Sequence, residues 1–139
     1  MPTNHTHEEI ELAKLPVVQI QDVLLARMVA RSEAVRLGFA PQALTQIATS
    51  VSEIARNVVQ HAGSSGQVRV LEISTPGRRG LKITVEDHGA GIPDIDRVLA
   101  GTSPGAGVPG CRKLMDEFDI QSASHSGVAV TMVKWLPLV

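Results

Sequence analysis

Glu53 and Asn57 stand four residues apart in the run Glu53-Ile-Ala-Arg-Asn57-Val-Val-Gln-His61. On a helix, that spacing projects both side chains from one face. A carboxylate beside an amide oxygen suits a magnesium ion held jointly with phosphates, because Mg2+ takes oxygen ligands and usually only one or two from protein. The same spacing also suits a solvated helix face on which Glu53 pairs with Arg56. His61, one turn beyond Asn57, reads as a surface or core-edge histidine.

A second run is Val85-Glu86-Asp87-His88-Gly89-Ala90-Gly91-Ile92. An apolar stretch ends in an aspartate, and Gly-x-Gly follows. The aspartate can accept a hydrogen bond from an amine such as the exocyclic N–H of adenine. The glycines let backbone approach a ligand without a Cβ clash. An ordinary strand-to-turn junction uses the same residue types. A third run, Gly105-Ala106-Gly107-Val108-Pro109-Gly110, precedes a helix and offers backbone N–H groups to an anion. It lacks the Gly-Lys-Ser/Thr of a Walker motif, and no β-type stretch directly precedes it as in a Rossmann fingerprint.

The elements that must position these residues follow from periodicity. Residues 1–14 are polar and read as a mobile tail, leaving 15–139 as one domain. Leu15–Ile20 reads as a strand. From Asp22 to Leu37, apolar residues recur at Val23, Ala26, Ala30, Ala34 and Leu37, and Gly38 stops the helix. Pro41 opens a second helix whose stripe is Leu44, Ile47, Val51, Ile54 and Val58, continuing to Ala62. Val68–Thr75 and Leu81–Asp87 form a hairpin joined by residues 76–80. A short helix is expected over Asp94–Leu99. Another follows the glycine loop and ends near Glu117. Asp119–Ala123 and Val128–Leu136 form a last strand pair, turned at Ser124–Gly127. Blocks of helices and hairpins favour an α+β two-layer sandwich with helices on one sheet face.

Composition narrows the function. The chain has 139 residues, 13 basic and 14 acidic, with two Phe, one Trp and no Tyr. It lacks the basic excess of a nucleic-acid binder and the aromatics of a base-stacking surface. A single cysteine, Cys111, excludes an intrachain disulfide. His5 and His7 lack partners at metal-ligand spacing and read as part of a frayed terminus. With no membrane-length apolar run and no signal-peptide pattern, the expectation is a cytoplasmic protein with no membrane partner.

In this order and at these distances, the three runs resemble the GHKL ATPase superfamily over roughly residues 17–136. Glu53 to Asn57 looks like its N box, Asp87-His-Gly89-Ala-Gly91 like its G1 box, and Gly105-Ala-Gly107 like its G2 box at the end of the ATP lid. Gly91-Ile-Pro-Asp-Ile95, Arg112-Lys-Leu-Met-Asp-Glu-Phe118 and Lys134-Trp135-Leu136 are similar to the RsbT-type serine-protein kinases of bacterial stress signalling. The resemblance implies a Bergerat-type sandwich with a mixed, mostly antiparallel sheet, and the cofactors ATP and Mg2+. It makes Asn57 the metal ligand, Glu53 the base that takes the serine proton and Asp87 the reader of adenine. Gly89, Gly91 and Ile92 would shape that pocket, and Gly105, Ala106, Gly107, Val108 and Gly110 would contact phosphate.

The partners implied are a STAS-domain antagonist, which is phosphorylated, and a downstream PP2C-type phosphatase or sigma-factor regulator. Two departures stand out. The stretch from Ile95 to Gly105 is shorter than the family lid, and Gly127-Val128 replaces the family's Gly-Thr. They motivate a second reading, a non-catalytic nucleotide-binding switch of anti-sigma type that sequesters or activates a partner. A third reading, the catalytic piece of a sensor histidine kinase, lacks a long helix bearing a phosphoacceptor histidine.

Overall fold

Alternating apolar residues and helical stripes sort this chain into a sheet and a helix layer. A computed structural model describes residues 7–61, 65–88, 108–123 and 127–138. Its described elements are β1 (Glu8–Val17), α1 (Ile20–Leu37), α2 (Pro41–His61), β2 (Gly66–Thr75), β3 (Arg78–Asp87), α3 (Val108–Leu114), β4 (Glu117–Ala123) and β5 (Gly127–Trp135). The helix expected over residues 94–99 lies outside the described residues.

The strands form one sheet in the order β1-β2-β3-β5-β4. Every pairing among the described strands is antiparallel, so the parallel component of the expected mixed sheet is not found there. The two-layer α+β sandwich itself stands. Val68, Val70, Leu81, Ile83, Val85, Val130 and Met132 are buried in the core that α1 and α2 cover. Alternation sends Arg69, Lys82, Thr84 and Thr131 to the other face. On that face Ile73 is buried, and the Trp135 ring lies over Gly80, with Arg78 stacked 4.1 Å from the ring centroid.

The N-terminal expectation needs correction. Strand β1 begins at Glu8, so residues 8–14 are part of the sheet and not a tail. Charge conceals the strand in the sequence. Glu9 meets Lys82 Nζ at 2.7 Å, and Glu11 meets Arg69 Nε at 2.9 Å, so acidic residues serve as cross-strand partners. The Lys82 hydrogen bond holds the Glu9 carboxyl below the usual carboxylate range. A β-bulge between Glu11 and Ala13 breaks the alternation that would have marked the strand.

Helix α1 buries Val23, Ala26, Ala30, Ala34 and Leu37, the stripe expected. It starts two residues before Asp22, because the Asp22 carboxylate accepts from the Val18 and Gln19 N–H groups at 2.9 and 3.1 Å. Gly38 closes it at φ 99°, with its N–H donating to the Ala34 and Val35 carbonyls. The alanines let α1 approach α2 closely. Its outer side carries exposed Ile20, Leu24, Leu25, Met28 and Val35. In α2, Leu44, Ile47, Val51, Ile54 and Val58 are all buried.

The hairpin turn is shorter than expected. Only Pro76 and Gly77 lie between β2 and β3, with Gly77 at φ 85°. Helix α3 ends at Leu114 and not near Glu117, because Asp116 is already drawn toward β5. Its N–H donates to the Val133 carbonyl at 2.9 Å, and its carboxylate accepts from the Trp135 N–H at 2.7 Å. No helix among the described residues is long and apolar enough to cross a membrane.

Candidate functional site

Asp87 ends β3 and is only 8% exposed. Its strand neighbours at this point are Gly66 on β2 and Gly127, which opens β5. The Val128 N–H donates to Asp87 Oδ1 at 3.3 Å, and the His88 N–H donates to the Ser65 carbonyl at 3.2 Å. A carboxylate held in this way is a fixed acceptor at the strand end.

The last turns of α2 close over this strand end. A Cβ built on Gly66 would come within 2.8 Å of Val58 Cγ1 and 3.3 Å of Asp87 Cα. Val58 directly follows Asn57, so the helix carrying the metal-ligand candidate packs beside the strand carrying the adenine-reading candidate. Glu53 and Asn57 are both half-buried on α2.

Glu53 has neighbours on two sides. Arg56 Nη1 lies 3.1 Å from Glu53 Oε1, the pairing that the sequence allowed. On the other side lies α3, where the buried Cys111 thiol donates to the Ser50 carbonyl at 3.8 Å. Burial pushes the Cys111 thiol up to about 11, and the charge of Glu53 adds to the shift. Glu53 therefore lies close enough to the helix that follows the glycine loop for its charge to act there. Ser52, also buried, accepts a hydrogen bond from Arg27 Nη1 at 3.3 Å and ties α2 to α1.

A cavity of about 420 Å³ opens at the ends of β3, β4 and β5, lined in part by Asp87, His88, Ser122, Gly127 and Val128. Its size is that of a small-molecule site. Asp87 belongs to it, whereas Glu53 and Asn57 stand off it on α2. Gly89, Gly91, Ile92, Gly105, Ala106 and Gly107 lie outside the described residues. Val108 begins α3. Gly110 sits in its first turn, where an added Cβ would meet nothing within 4 Å, so packing does not require a glycine there.

The donors suit a magnesium nucleotide better than a metal held by protein alone. Among the described residues there is no group of three or more His, Cys, Asp and Glu that could hold a metal ion. One amide oxygen, that of Asn57, fits the small share of ligands that protein gives to phosphate-bound Mg2+. A buried acceptor at the strand end matches an amine donor on a base.

Sequence reasoning missed the part played by Gly66 and by the Val128 N–H. Both act across strands, so no local spacing marks them.

The family model for the histidine kinase-like ATPase domain matches residues 18–134. The chain is 42% identical over 120 residues to the serine/threonine-protein kinase RsbT of Bacillus subtilis (strain 168), covering 83% of this chain and 90% of that protein. It is 29% identical over 126 residues to the anti-sigma F factor of Thermoanaerobacter sp. (strain X514), covering 84% and 87%. In fold, it is similar to a Mycobacterium tuberculosis structure of RsbU and RsbW domains, with a TM-score of 0.64 at 15% identity. That match covers 94% of this chain, which spans 34% of the solved one.

Proposed function

The chain belongs to the histidine kinase-like ATPase domain family, and from that premise we propose that it is a Mg·ATP-dependent serine/threonine-protein kinase of a partner-switching pathway. Its substrate would be a STAS-domain antagonist. Once released from that antagonist, it would activate a PP2C-type phosphatase or engage a sigma-factor regulator. The reading sets this kinase in the cytoplasm. One observation carries it: 42% identity to a serine/threonine-protein kinase across 90% of that protein's length, in a chain whose Asp87 is a buried acceptor beside the Asn57 helix.

Bound Mg·ATP supplies the transferable γ-phosphoryl group. Asp87 accepts a hydrogen bond from the adenine amine and fixes the base at the strand end. Asn57 would hold the metal through its amide oxygen, and the metal would neutralise phosphate charge. Glu53, one turn away, takes the proton as the serine oxygen bonds to phosphorus and the bond to the ADP oxygen breaks. Arg56 holds Glu53 in the resting protein and must yield the carboxylate at that moment. The added phosphate brings about -1.5 to -2 charges to the partner, enough to drive its release by repulsion and desolvation.

The test is incubation with γ-labelled ATP and the STAS-domain protein encoded nearest this gene. Label on a serine or threonine, lost in Glu53→Ala, is expected. A tightly bound partner that never takes label, with Glu53→Ala indistinguishable from wild type, would overturn the assignment. The 29% identity to an anti-sigma factor favours a second reading, in which nucleotide serves only to order a sequestering surface. Nucleotide binding without transfer would select it.

A further inference from the structure

Two glycines with nearly the same φ differ in what surrounds them. Gly77 has φ +85° and Gly127 has φ +84°, both in the left-handed region that favours glycine. A Cβ on Gly77 would meet nothing within 4 Å. A Cβ on Gly127 would collide with the Asp87 carbonyl oxygen and lie 2.9 Å from its carbonyl carbon and 3.1 Å from Oδ1. Conformation alone accounts for the first glycine. The second is also required by Asp87.

We infer that Gly127 is a positioning residue for base recognition: its missing side chain lets β5 start against Asp87, so that the Val128 N–H reaches Oδ1 and aims the carboxylate. The inference rests on the nucleotide reading above, in which Asp87 meets the base. The hydrogen bond spans 41 residues of sequence and is 3.3 Å long, so little outward movement of β5 breaks it. A Cβ at position 127 pushes on the carbonyl and on Oδ1 together, moving the strand start and the carboxylate at once. Gly66 bounds Asp87 from the opposite strand. A Cβ there would collide with the Glu86 carbonyl oxygen and press on Val58, which directly follows Asn57. Asp87 is thus framed by two positions without side chains, one on each neighbouring strand.

The experiment compares Gly127→Ala with Gly77→Ala, which places a side chain at the same positive φ away from the site. Gly127→Ala is expected to weaken ATP binding by about tenfold or more, the scale of one hydrogen bond to a charged group lost. It should also lower the preference for ATP over GTP toward that of Asp87→Ala. In an Asp87→Ala background, the same change should add nothing to the loss of affinity. Gly77→Ala should lose thermal stability and keep both affinity and preference. A Gly127→Ala protein that binds ATP within about twofold of wild type, with its base preference intact, overturns the inference.

A second readout needs no nucleotide and no Gly127 variant. In the ligand-free protein, the Val128 amide proton resonance should move upfield in Asp87→Ala, and an unmoved resonance also overturns the inference. If that resonance moves but Asp87→Ala binds ATP as wild type does, the nucleotide reading of the site fails while the contact stands.

Discussion

The Arg56 guanidinium lies 3.1 Å from Glu53 Oε1, one turn along the same helix, so the carboxylate proposed as base starts out paired. Both side chains are 38% exposed, and a helical pair of this kind is worth only about 0.3–0.5 kcal/mol. The pair is therefore a weak hold on Glu53. Arg56→Ala should change the phosphoryl-transfer rate by no more than about threefold, the factor that such an energy allows. Single-turnover kinetics with labelled ATP measure it. A loss of several hundredfold would mean that Arg56 contacts the transferring phosphoryl group.

Asp87→Asn keeps an oxygen for the Val128 N–H but turns part of the acceptor into an N–H donor facing the ligand amine. ATP affinity should fall by about ten- to a hundredfold, from one charge-assisted bond lost and a donor left opposed. Asn57→Ala should act differently, abolishing the gain in affinity that Mg2+ brings while leaving metal-free binding near that of wild type. Titration calorimetry with and without Mg2+ separates the two. Equal losses in both variants, with and without metal, would remove the assigned division between base and metal.

What could be read from the sequence follows from what each constraint repeats. The stripes Leu44-Ile47-Val51-Ile54-Val58 and Val23-Ala26-Ala30-Ala34-Leu37 repeat at helical spacing because one face meets the sheet, and they came through intact. The Glu53–Asn57 spacing was legible for the same reason. Strand β1 was not, because its glutamates find cationic partners on β2 and β3, which lie about 60 to 70 residues downstream. The framing of Asp87 by Gly66 and Gly127 was hidden likewise, since it depends on which strands lie side by side.

Cys111 gives a prediction in pH. Burial raises its thiol from 9.0 to about 11, so the folded state keeps a proton that the unfolded chain releases. The native state then binds more protons than the unfolded state between those values, and stability must fall as pH rises through that window. This contribution should be on the order of 1–3 kcal/mol by pH 11, so the wild type should lose that much more stability than Cys111→Ala over the window. Denaturant melts at pH 8, 9.5 and 11 check it. At pH 8 the thiol should also alkylate far more slowly than a free peptide thiol, and rapid labelling of the folded protein would contradict its burial.

Strand β1 gives the last prediction, which follows from correcting the N-terminal boundary. Removing residues 1–6 leaves β1 whole, whereas removing residues 1–14 strips its pairing with β2 from Glu8 to Lys14. The longer cut also takes away the Glu9 and Glu11 partners of Lys82 and Arg69 and uncovers the edge of β2 where Leu71 and Ile73 are buried. A new edge strand with apolar residues invites pairing with a second chain. The shorter truncation should melt within about 2 °C of the full chain, because it leaves every pairing of the described strands in place. The longer one should lose more than about 2 kcal/mol and scatter light as it warms, the outcome for a sheet deprived of its covering strand. Circular dichroism melts with parallel light scattering distinguish the two. If both truncations melt alike, residues 8–14 contribute nothing to the sheet, and the domain begins where the apolar pattern first becomes legible at Leu15.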